Sequence, residues 1–546
     1  MLQAKNVNLY LNKDNRLLIE DFSFTLGEGD KVVIIGEEGN GKSTLLKYLY
    51  DEELVAGYAQ ATGQVIKKGI FGYLPQFMPE AEQELTISEY FADADIYENY
   101  DMVDSLGLDY DFLLSQQSIR TLSGGEKVKI QLLKLLCQRP DALFMDEPTN
   151  DLDIETLTFL EEFIRKCSIP ILFISHDEVL ISNTANVIIH IEQLIRKTKN
   201  VITVSRLPYE AYLKARNLQF DKQTQVALKE RSEYKKKKER LQQLYEKARH
   251  NKSWKNPDGI PSSDGGAKKS MQTIVSKGKR FEREKENFTD IPNREEGIVT
   301  RFDADIYIPP QKRILDFSLP ELKVDGKLLA KDINLSVIGN QHICIIGKNG
   351  AGKSTLLKEI WNVLKERKDI VASYMPQDYR DIIDYSLTPT EFLQSSYDKE
   401  KYTLALTHMG TMKFTRDEMK HTIGELSGGQ RAKIIFLNMV LQKANVLILD
   451  EPTRNFSPLS APVIRQALMD FQGTIISISH DRKYLDEGAD TGAIIMQETV
   501  NVYENDDAKS LSKRVLEVEH RILKESIRLF CENKLSIQGR RVFINE

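Results

Sequence analysis

The sequence predicts an α/β protein with two related domains joined by a long helical hairpin. One observation behind this prediction is a set of short motifs that occurs twice in the 546 residues. A second is that most of these motifs follow apolar runs of four or five residues, which are typical of strands buried on both faces of a parallel sheet. The third is a run of apolar residues at seven-residue steps between the two motif sets, which favours paired helices.

The two motif sets are separated by a nearly constant distance. A glycine-rich sequence at Gly36–Ser43 returns 311 residues later, and three further motifs each return after 304 residues. These three are Leu122-Ser-Gly-Gly125 with Leu426-Ser-Gly-Gly429, Asp146-Glu-Pro-Thr149 with Asp450-Glu-Pro-Thr453, and Ser175-His-Asp177 with Ser479-His-Asp481. A repeat of this length indicates a duplicated domain. We expect a first domain at residues 1–208, a basic helical linker at 209–296, a second domain at 297–505 and a charged extension at 506–546.

Each domain contains short apolar runs that predict its central strands. Each run directly precedes one of the repeated motifs, so the motifs are expected at the carboxyl ends of the strands. The expected strands are Lys31–Ile35, Ala142–Met145 and Ile171–Ile174 in the first domain, and His342–Ile346, Val446–Leu449 and Thr474–Ile478 in the second.

The glycine-rich sequences have the spacing of a phosphate-binding loop between a strand and a helix. Backbone N–H groups of such a loop surround phosphate oxygens, and the N-terminus of the helix adds positive potential. We expect Lys42 and Lys353 to contact the terminal phosphates and Ser43 and Ser354 to bind Mg²⁺. The candidate nucleotide-binding residues of these loops are Gly36, Glu37, Glu38, Gly39, Asn40, Gly41, Lys42, Ser43 and Thr44, and Gly347, Lys348, Asn349, Gly350, Ala351, Gly352, Lys353, Ser354 and Thr355.

The acidic pair at the end of a strand provides the other half of a nucleotide-hydrolysing site. We expect Asp146 and Asp450 to hold Mg²⁺. The neighbouring Glu147 and Glu451 are then expected to polarise the attacking water, as a general base does.

Histidine and glutamine side chains complete each predicted site. His176 and His480 each follow a buried strand and can sense or position the γ-phosphate, although a lone histidine is more often structural. Gln76 and Gln377 follow the sequences Tyr-Leu-Pro and Tyr-Met-Pro and can contact both Mg²⁺ and the water.

The composition excludes several classes of protein. Apolar residues make up 41% and charged residues 29% of the chain, which is a globular balance and not that of a disordered chain. No apolar run approaches the roughly 18–20 residues that span a bilayer, and the first residues lack the pattern of a signal peptide. Four cysteines lie far apart, without the spacing of a zinc site. We therefore expect a cytoplasmic protein with no membrane part.

The segment between the domains is strongly basic. Residues 214–285 contain 21 Lys and Arg and 9 Asp and Glu, a net charge of +12 in a chain of −6. Apolar heptads place Leu213, Phe220, Ala227, Tyr234 and Leu241 on one helix and Ile274, Phe281 and Phe288 on another. Pro and Gly disfavour helix at 251–266, so this stretch is the expected tip loop. The charge indicates either a polyanionic partner or a solvated spacer, and the candidate RNA contacts at the tip are Lys252, Trp254 and Lys255.

Taken together, the motifs resemble those of the ABC ATPase superfamily. The phosphate loop, glutamine, Leu-Ser-Gly-Gly signature, Asp-Glu pair and histidine follow in the family's order in both halves. The resemblance implies an intramolecular head-to-tail sandwich in a monomer, with two ATP molecules bound between the domains. ATP on the first loop would meet Ser427, Gly428 and Gly429, and ATP on the second would meet Ser123, Gly124 and Gly125. The N–H groups of these signature residues would bind the γ-phosphate.

The resemblance also implies that the two ATP sites are unequal. Tyr10 stands where many members stack an aromatic ring on adenine, but the matching residue of the second half is Glu321. The family's D-loop aspartate is Asp153 in the first half and Ser457 in the second. Since a D-loop contacts the opposite site, we expect the first site to have the less regular cross-domain contacts. Both sites keep their glutamate and histidine, so we expect both to hydrolyse ATP, at different rates.

Two fused ABC domains, a long charged helical linker and no membrane part resemble the ABC-F family. This resemblance implies binding to the tRNA exit site of the 70S ribosome in the ATP state. The linker would contact ribosomal RNA and the peptidyl-site tRNA and point towards the peptidyl transferase centre. The roughly 15-residue tip resembles that of members that protect ribosomes from antibiotics. The first domain has no arm-sized insertion between Gln76 and Leu122, which weakens a housekeeping translation role.

Three other functions remain open at this point. The protein could regulate translation without any role in drug resistance. A fused ATPase subunit of a membrane importer also carries two ABC domains, but it has no reason for a basic hairpin of about 70 residues. A DNA-repair ATPase would usually have a coiled coil or a zinc module inserted within a domain, and neither is seen in the sequence.

Overall fold

The structure is a computed structural model, and it describes most of the two domains and of the linker. The described residues are 2–13, 15–94, 96, 99–150, 152–194, 199–252, 264–286, 288–289, 302, 306–324, 326–393, 399–489, 521, 535–538 and 541–544.

The first domain is built on a six-stranded sheet whose centre is parallel. Its strands are β1 (Leu2–Leu11), β2 (Leu17–Leu26), β3 (Lys31–Ile35), β4 (Ala59–Lys67), β5 (Phe71–Leu74), β6 (Ala142–Asp146), β7 (Ile171–Ile174), β8 (Val187–Gln193) and β9 (Lys199–Ser205). The order in the large sheet is β5-β6-β7-β3-β8-β9, with only β9 antiparallel to its neighbour. Strands β2, β1 and β4 form a separate antiparallel sheet.

Alternate residues of β3 enter two different hydrophobic cores. Val33 and Ile35 pack into the core on one face of the sheet, and Val32 and Ile34 pack into the core on the other. All five residues of β3 are buried, as expected for a strand covered on both faces. The apolar run predicted from the sequence is therefore a central strand.

Helices cover both faces of this sheet and begin at the predicted motifs. The first helix begins at the phosphate loop, and the last helix before β6 begins at the signature. The helices are α1 (Lys42–Tyr50), α2 (Glu53–Ala56), α3 (Glu80–Gln83), α4 (Ile87–Tyr90), α5 (Tyr100–Ser105), α6 (Tyr110–Leu113), α7 (Gly124–Cys137), α8 (Ile154–Lys166) and α9 (Glu178–Thr184).

The linker forms the predicted antiparallel helical hairpin. Its helices are α10 (Tyr209–Lys252) and α11 (Asp264–Glu286). The middle of α10 packs against the residues that follow α11, since the rings of Tyr234 and Phe288 lie 5.4 Å apart at their centroids. Further along, Lys237 Nζ lies 3.2 Å from Glu284 Oε2. All of the predicted heptad residues are buried or half-buried.

The predicted tip loop is shorter in the structure than the sequence indicated. Helix α10 continues to Lys252, and Gly265 and Gly266 lie in the first turn of α11. Asp264 begins α11, where an acidic side chain favours helix formation and offsets the cost of the glycines. Trp254 and Lys255 lie outside the described residues, so their predicted RNA contacts remain predictions.

The second domain repeats the plan of the first. Its strands are β10 (Arg313–Val324), β11 (Lys327–Ile338), β12 (His342–Ile345), β13 (Ala372–Met375), β14 (Val446–Asp450) and β15 (Thr474–Ile478), and its helices are α12 (Lys353–Leu364), α13 (Pro389–Leu393), α14 (Lys399–Thr411), α15 (Gly428–Leu441), α16 (Ala461–Met469) and α17 (Arg482–Ala489). The parallel sheet has the order β12-β15-β14-β13, which matches β3-β7-β6-β5 of the first domain. Strands β10 and β11 form an antiparallel pair.

The C-terminal extension includes a short β-hairpin. Its described part contains β16 (Leu535–Gln538) and β17 (Arg541–Ile544), which pair antiparallel. The sequence of β17, Arg-Val-Phe-Ile, is rich in β-branched and aromatic residues that pack well on a pleated surface. The charged composition of the extension gave no indication of these strands. The other residues of 506–546, apart from Arg521, lie outside the described part of the chain.

Candidate functional sites

The first phosphate loop connects the buried strand β3 to helix α1. Gly41 at the start of α1 has a φ of 91°, a left-handed conformation that glycine adopts without steric cost. The buried Lys42 Nζ donates hydrogen bonds to the carbonyl oxygens of Gly36 (2.9 Å) and Glu37 (3.1 Å). The loop therefore surrounds an ammonium group with the N-terminus of a helix behind it, which is an arrangement suited to phosphate.

The second phosphate loop has the same backbone geometry. Gly352 has a φ of 90°, and Lys353 Nζ donates to the carbonyl oxygens of Gly347 (2.7 Å) and Lys348 (2.9 Å). A side chain at Gly352 would place its Cβ 2.9 Å from Leu329 Cδ1. The predicted loop residues of both halves are thus brought into equivalent positions.

The aspartates at the ends of β6 and β14 face the serines of the phosphate loops. Ser43 Oγ donates to Asp146 Oδ1 at 2.8 Å, and the hydroxyl of Ser354 likewise donates to Asp450. Burial raises the pKa of both aspartates above its ordinary value. Each serine–aspartate pair is where the sequence predicts Mg²⁺.

Several buried polar atoms at the second site have no hydrogen-bond partner. They are Asp450 Oδ2, Glu451 Oε1 and His480 Nδ1. A buried polar atom without a partner costs free energy, so such atoms usually face a water, an ion or a ligand. The oxygen donors of Asp450 and Glu451 fit a hard cation such as Mg²⁺ and its bound water.

Glu147 lies among hydrogen-bond donors directly after β6. Gln76 Nε2 and Asn150 Nδ2 donate to Glu147 Oε2 at 2.9 and 2.8 Å, and His176 Nε2 lies 3.3 Å from Oε1. Burial alone would raise the pKa of Glu147, but the contact with His176 and the charge of Lys42 lower it to about 2. The structure therefore joins the glutamate, glutamine and histidine predicted for the first site.

Glu451 has a different environment in the second site. The backbone N–H of His480 donates to Glu451 Oε2 at 3.1 Å, while His480 Nε2 is 3.9 Å from Oε1. Burial is the dominant influence and raises the pKa of Glu451 to about 8. Gln377 lines the same cavity. The two predicted general bases are thus placed alike in the backbone but differ in how their charge is stabilised.

Both glutamates adopt a left-handed backbone conformation. The φ values of Glu147 and Glu451 are 50° and 52°. Such values are uncommon for residues other than glycine and concentrate at functional sites. This conformation turns each side chain out of its strand and towards the phosphate loop.

The second site opens into a cavity between the two domains. The cavity has a volume of about 1130 Å³ and is lined by Ser123 and Gly124 of the first domain and by Asn349, Lys353 and Glu451 of the second. The signature of one domain therefore faces the phosphate loop of the other, which is the head-to-tail arrangement that the motifs predict.

The first site is also shared between the domains, but here protein groups meet directly. The backbone N–H groups of Gly428 and Gly429 donate to the carboxylate of Glu38. Ser427 lines a neighbouring cavity of about 820 Å³ together with Glu37 and Glu38. Each signature serine caps its own helix, because Ser123 and Ser427 accept hydrogen bonds from the N–H groups of Glu126 and Gln430.

Comparison with known proteins shows what this chain is similar to. A model described as ABC transporter matches residues 19–150 and 330–454, and one described as formyl transferase matches only residues 481–527. The ribosome protection protein VmlR of Bacillus subtilis is 28% identical, over 93% of this chain and 89% of that protein. The energy-dependent translational throttle protein EttA of Escherichia coli is 26% identical, over 86% of this chain and 88% of that protein. The chain is an ATPase with two ABC domains, and most of its length is similar to ABC-F proteins.

A solved structure supports the fold of this chain. The crystal structure of archaeal ribosome recycling factor aABCE1 in complex with ribosomal stalk protein aP1 has a TM-score of 0.52 to it. The match has 18% identity and covers 88% of this chain and 85% of that chain.

The histidine of the first site contacts the second domain. His176 Nδ1 lies 2.9 Å from the carbonyl oxygen of Phe456, in the D-loop region of the second domain. His480 has no matching contact through Nδ1, which is buried without a partner. The first site is therefore the more tightly joined of the two.

The D-loop contacts at the first site are irregular in a way that the sequence did not indicate. Ser457 donates a hydrogen bond to Glu37 Oε1 at 2.6 Å. At the second site the acidic group is on the D-loop itself, since Asp153 accepts a hydrogen bond from the backbone N–H of Asn349. The sequence predicted Glu37 only as part of the nucleotide loop. The signal that could have revealed this contact is an acidic residue in the loop together with a serine in the D-loop of the other domain.

The aromatic residue predicted to stack on adenine lies on β1. Tyr10 is half-buried and pairs with Leu17 and Gln60 of the adjacent strands. The equivalent Glu321 on β10 pairs with Lys331. The role of Tyr10 in binding adenine remains a prediction.

Among the residues that the structure describes, no group of three or more His, Cys, Asp or Glu side chains is arranged to hold a metal ion. None of the described helices combines the length and apolar character needed to cross a bilayer.

Proposed function

We propose that the chain is an ATP-dependent ribosome-binding protein of the resistance type. In this proposal it enters the tRNA exit site of the 70S ribosome, and its linker contacts ribosomal RNA and the peptidyl-site tRNA and protects the peptidyl transferase centre from antibiotics. ATP hydrolysis then allows release. The similarity to VmlR supports the proposal, in which the protein acts in the cytoplasm.

The observation that carries the proposal is the basic hairpin and its attachment to the ATP sites. Helix α10 alone has 44 residues and is about 66 Å long at 1.5 Å per residue. The linker segment carries a net charge of +12. A long cationic projection with mostly exposed side chains is suited to a phosphate backbone, where released counterions favour binding.

The base of the hairpin is held by both domains. The hydroxyl of Tyr209 donates to the carbonyl oxygen of Pro458 at 3.3 Å, in the second domain. The hydroxyl of Tyr212 lies 2.7 Å from His190 Nδ1 on β8, and Asn40 of the phosphate loop donates to Ile191 O on the same strand. A change in domain contact on ATP binding would therefore reach the hairpin through rigid, hydrogen-bonded elements.

The ATP sites act in this proposal as the predicted motifs suggest. Mg²⁺ would neutralise developing charge on the phosphates when held by the Ser43–Asp146 and Ser354–Asp450 pairs, with Gln76 and Gln377 beside it. Glu147 and Glu451 would orient and deprotonate water, and His176 and His480 would hold the γ-phosphate. The lysines of both phosphate loops would bind the terminal phosphates.

Co-sedimentation with 70S ribosomes tests the proposal. The double variant Glu147→Gln/Glu451→Gln should bind ATP and hydrolyse it poorly, because its carboxamides accept no proton from water. We expect this protein to pellet with ribosomes in the presence of ATP and not without it. A variant with Lys235, Lys236, Lys237 and Lys238 replaced by Gln should lose this binding, since fewer phosphate contacts lower the affinity. Absence of binding by the closed double variant at moderate salt would overturn the proposal.

A translation regulator without a drug-resistance role is the second candidate, and the similarity to EttA favours it. Drug susceptibility of cells with and without the protein separates the two functions. Protection that requires the tip residues 251–266 supports the resistance role. Ribosome binding with unchanged susceptibility to every drug of the peptidyl transferase centre supports the regulator. An importer subunit or a DNA-repair ATPase would show no ATP-dependent binding to ribosomes.

A further inference from the structure

The first phosphate loop carries two acidic residues that the second lacks. Glu37 and Glu38 occupy the positions of Lys348 and Asn349 in the second loop. Acidic side chains in a loop that binds a triphosphate repel the ligand unless they are directed elsewhere. The structure shows where they are directed, because both side chains cross to the second domain.

Glu38 binds the signature of the second domain. Its Oε1 accepts a hydrogen bond from the backbone N–H of Gly428 at 3.0 Å, and its Oε2 accepts one from that of Gly429. These two residues begin helix α15, so the carboxylate lies at the positive end of a 14-residue helix. A carboxylate that accepts two adjacent N–H groups occupies the same donors that a phosphate oxygen would use.

Glu37 fixes the loop to the D-loop region beside this contact. Its carboxylate accepts hydrogen bonds from Ser457 (2.6 Å) and Ser460, and it lies 3.3 Å from Lys433 Nζ. Both side chains of the ion pair are largely buried. Burial would raise the pKa of Glu37, but Lys433 and the two serines lower it to about 2, so the pair is charged. The second domain is thereby held against the first loop while Glu38 is bound.

The second site lacks these contacts. Lys348 pairs with Glu155 at 2.8 Å, but both side chains are more than two-thirds exposed. The backbone N–H of Asn349 donates to Asp153, so the second loop contacts the first domain's D-loop. Gly124 instead lines the open cavity with Lys353. The signature of the first domain is therefore accessible to a ligand at the second site.

We propose that Glu38 sets the nucleotide preference of the first site by occupying the N–H groups of Gly428 and Gly429 that the γ-phosphate would otherwise bind. ATP must displace this carboxylate to reach the signature, whereas ADP has no γ-phosphate and leaves it in place. The first site consequently discriminates weakly between ATP and ADP, and the second discriminates strongly. The inference rests on the proposed role of the signature N–H groups and is independent of the ribosomal role.

Titration calorimetry of the full chain tests the preference one site at a time. Lys353→Ala removes the phosphate-binding lysine of the second loop, so that ligand binding reports the first site. The ligands are ADP and the non-hydrolysable ATP analogue AMP-PNP, each with Mg²⁺. Glu38→Asn gives the first loop the residue of the second, and we expect it to raise the affinity ratio of AMP-PNP to ADP by about 10- to 100-fold, the range for a hydrogen bond to a charged group.

Two matched variants strengthen the test. Glu38→Gln keeps the length of the side chain and removes its charge, so the ratio should rise in the same direction even if Glu38→Asn folds poorly. Asn349→Glu in a Lys42→Ala chain places a carboxylate in the second loop, and there the ratio should fall. An unchanged ratio at the first site in both Glu38 variants would overturn the inference.

A signature variant separates this inference from its premise. Gly124→Asp in the Lys42→Ala chain puts a negative charge where the γ-phosphate is proposed to bind at the second site. A lowered ratio there, with no effect of the Glu38 variants at the first site, would contradict only the role of Glu38. No effect of Gly124→Asp would contradict the role of the signature N–H groups, and the inference would then fail with it.

Discussion

Glu147 and Glu451 occupy the same place in the two domains, yet their neighbours differ. Glu147 has amide donors and His176 around its carboxylate, and its pKa is lowered to about 2. Glu451 is bonded by one backbone N–H, and burial raises its pKa to about 8. The difference arises from His176, which the second domain holds in place through Phe456 O. Unequal sites thus follow from the packing of the domains as well as from their residue types.

At the residue scale, the charge of Glu37 makes a prediction about acid stability. Its pKa is lowered from 4.5 to about 2 in the folded chain. A lowered pKa stabilises the fold fully above pH 4.5, and this contribution is lost as the pH falls from about 4.5 to 2. At 1.36 kcal/mol per pKa unit, Glu37→Gln should lower the free energy of unfolding at pH 7 by about 3 kcal/mol. Urea unfolding of both chains at several pH values measures the difference.

The pH series has an internal control. The difference between wild type and Glu37→Gln should shrink steadily between pH 5 and pH 3. Glu53→Gln, at an exposed position of α2, should behave as wild type throughout. A difference that is constant across this range would mean that the charge of Glu37 does not stabilise the domain contact.

At the scale of elements, the linker hairpin is held together by a narrow apolar seam. Heptad residues are covered while most of their neighbours are exposed, as in an antiparallel coiled coil. Ala227 is fully buried, whereas the adjacent Val226 is 48% exposed. Small residues in such a seam allow the surrounding chain to approach closely, and larger ones force it apart.

A larger side chain in this seam should therefore lower the stability of the protein. Ala227→Leu adds three carbon atoms where no space is open, and it should lower the free energy of unfolding by about 1–3 kcal/mol. The exposed substitution Val226→Leu should change it by less than about 0.5 kcal/mol. Thermal unfolding followed by circular dichroism checks both. Equal stability of the two variants would show that the packing around Ala227 is loose.

The phosphate-loop helices α1 and α12 illustrate what element geometry contributes to the sites. Each begins at a left-handed glycine, and each lysine folds back on the carbonyl groups of its loop. This geometry depends on residues close in sequence, which is why the spacing of the motif predicts it. The position of the signature helices relative to these loops depends on contacts between residues more than 200 positions apart in the chain.

At the scale of the whole molecule, buried charges join the two domains. Arg465 on α16 contacts Glu178 of the first domain at 2.8 Å and Asp481 at 3.4 Å, and its side chain is only 2% exposed. Burial raises the pKa of Glu178 even beside this guanidinium group. Arg482 makes a second cross-domain cluster with Asp177 and Glu161. Charge pairs with largely buried side chains thus join the two domains.

Removing one partner of the buried pair should weaken the domain interface. Arg465→Met leaves the carboxylate of Glu178 buried without its cation, which costs about 3–5 kcal/mol. Arg120→Met breaks an exposed pair with Glu84 and should cost at most about 1 kcal/mol. Urea unfolding compares the two. The double variant Arg465→Met/Glu178→Leu should regain most of the loss, and failure to regain it would mean that the pair has a role beyond charge compensation.

The sequence alone was sufficient for most of the architecture. Buried β-branched runs, the glycine spacing of the loops and the heptads act over a few residues, so β3, α1, α7 and the hairpin helix α10 lie where they were predicted. The tip and the C-terminal extension were harder to predict. Glycine is tolerated in the first turn of α11, and a short hairpin of strands ends a segment whose composition is dominated by charge.

The tertiary structure decided which side chains share a site. The repeat in the sequence predicted two similar nucleotide loops, and it placed Glu37 and Glu38 among the groups that bind nucleotide. Their contacts with Lys433, Ser457 and the N–H groups of Gly428 and Gly429 join residues about 390–420 positions apart. Local patterns determine strands, helices and loops because those depend on neighbouring residues. The pairing of charges across the interface depends on how two whole domains pack, and only the folded molecule specifies it.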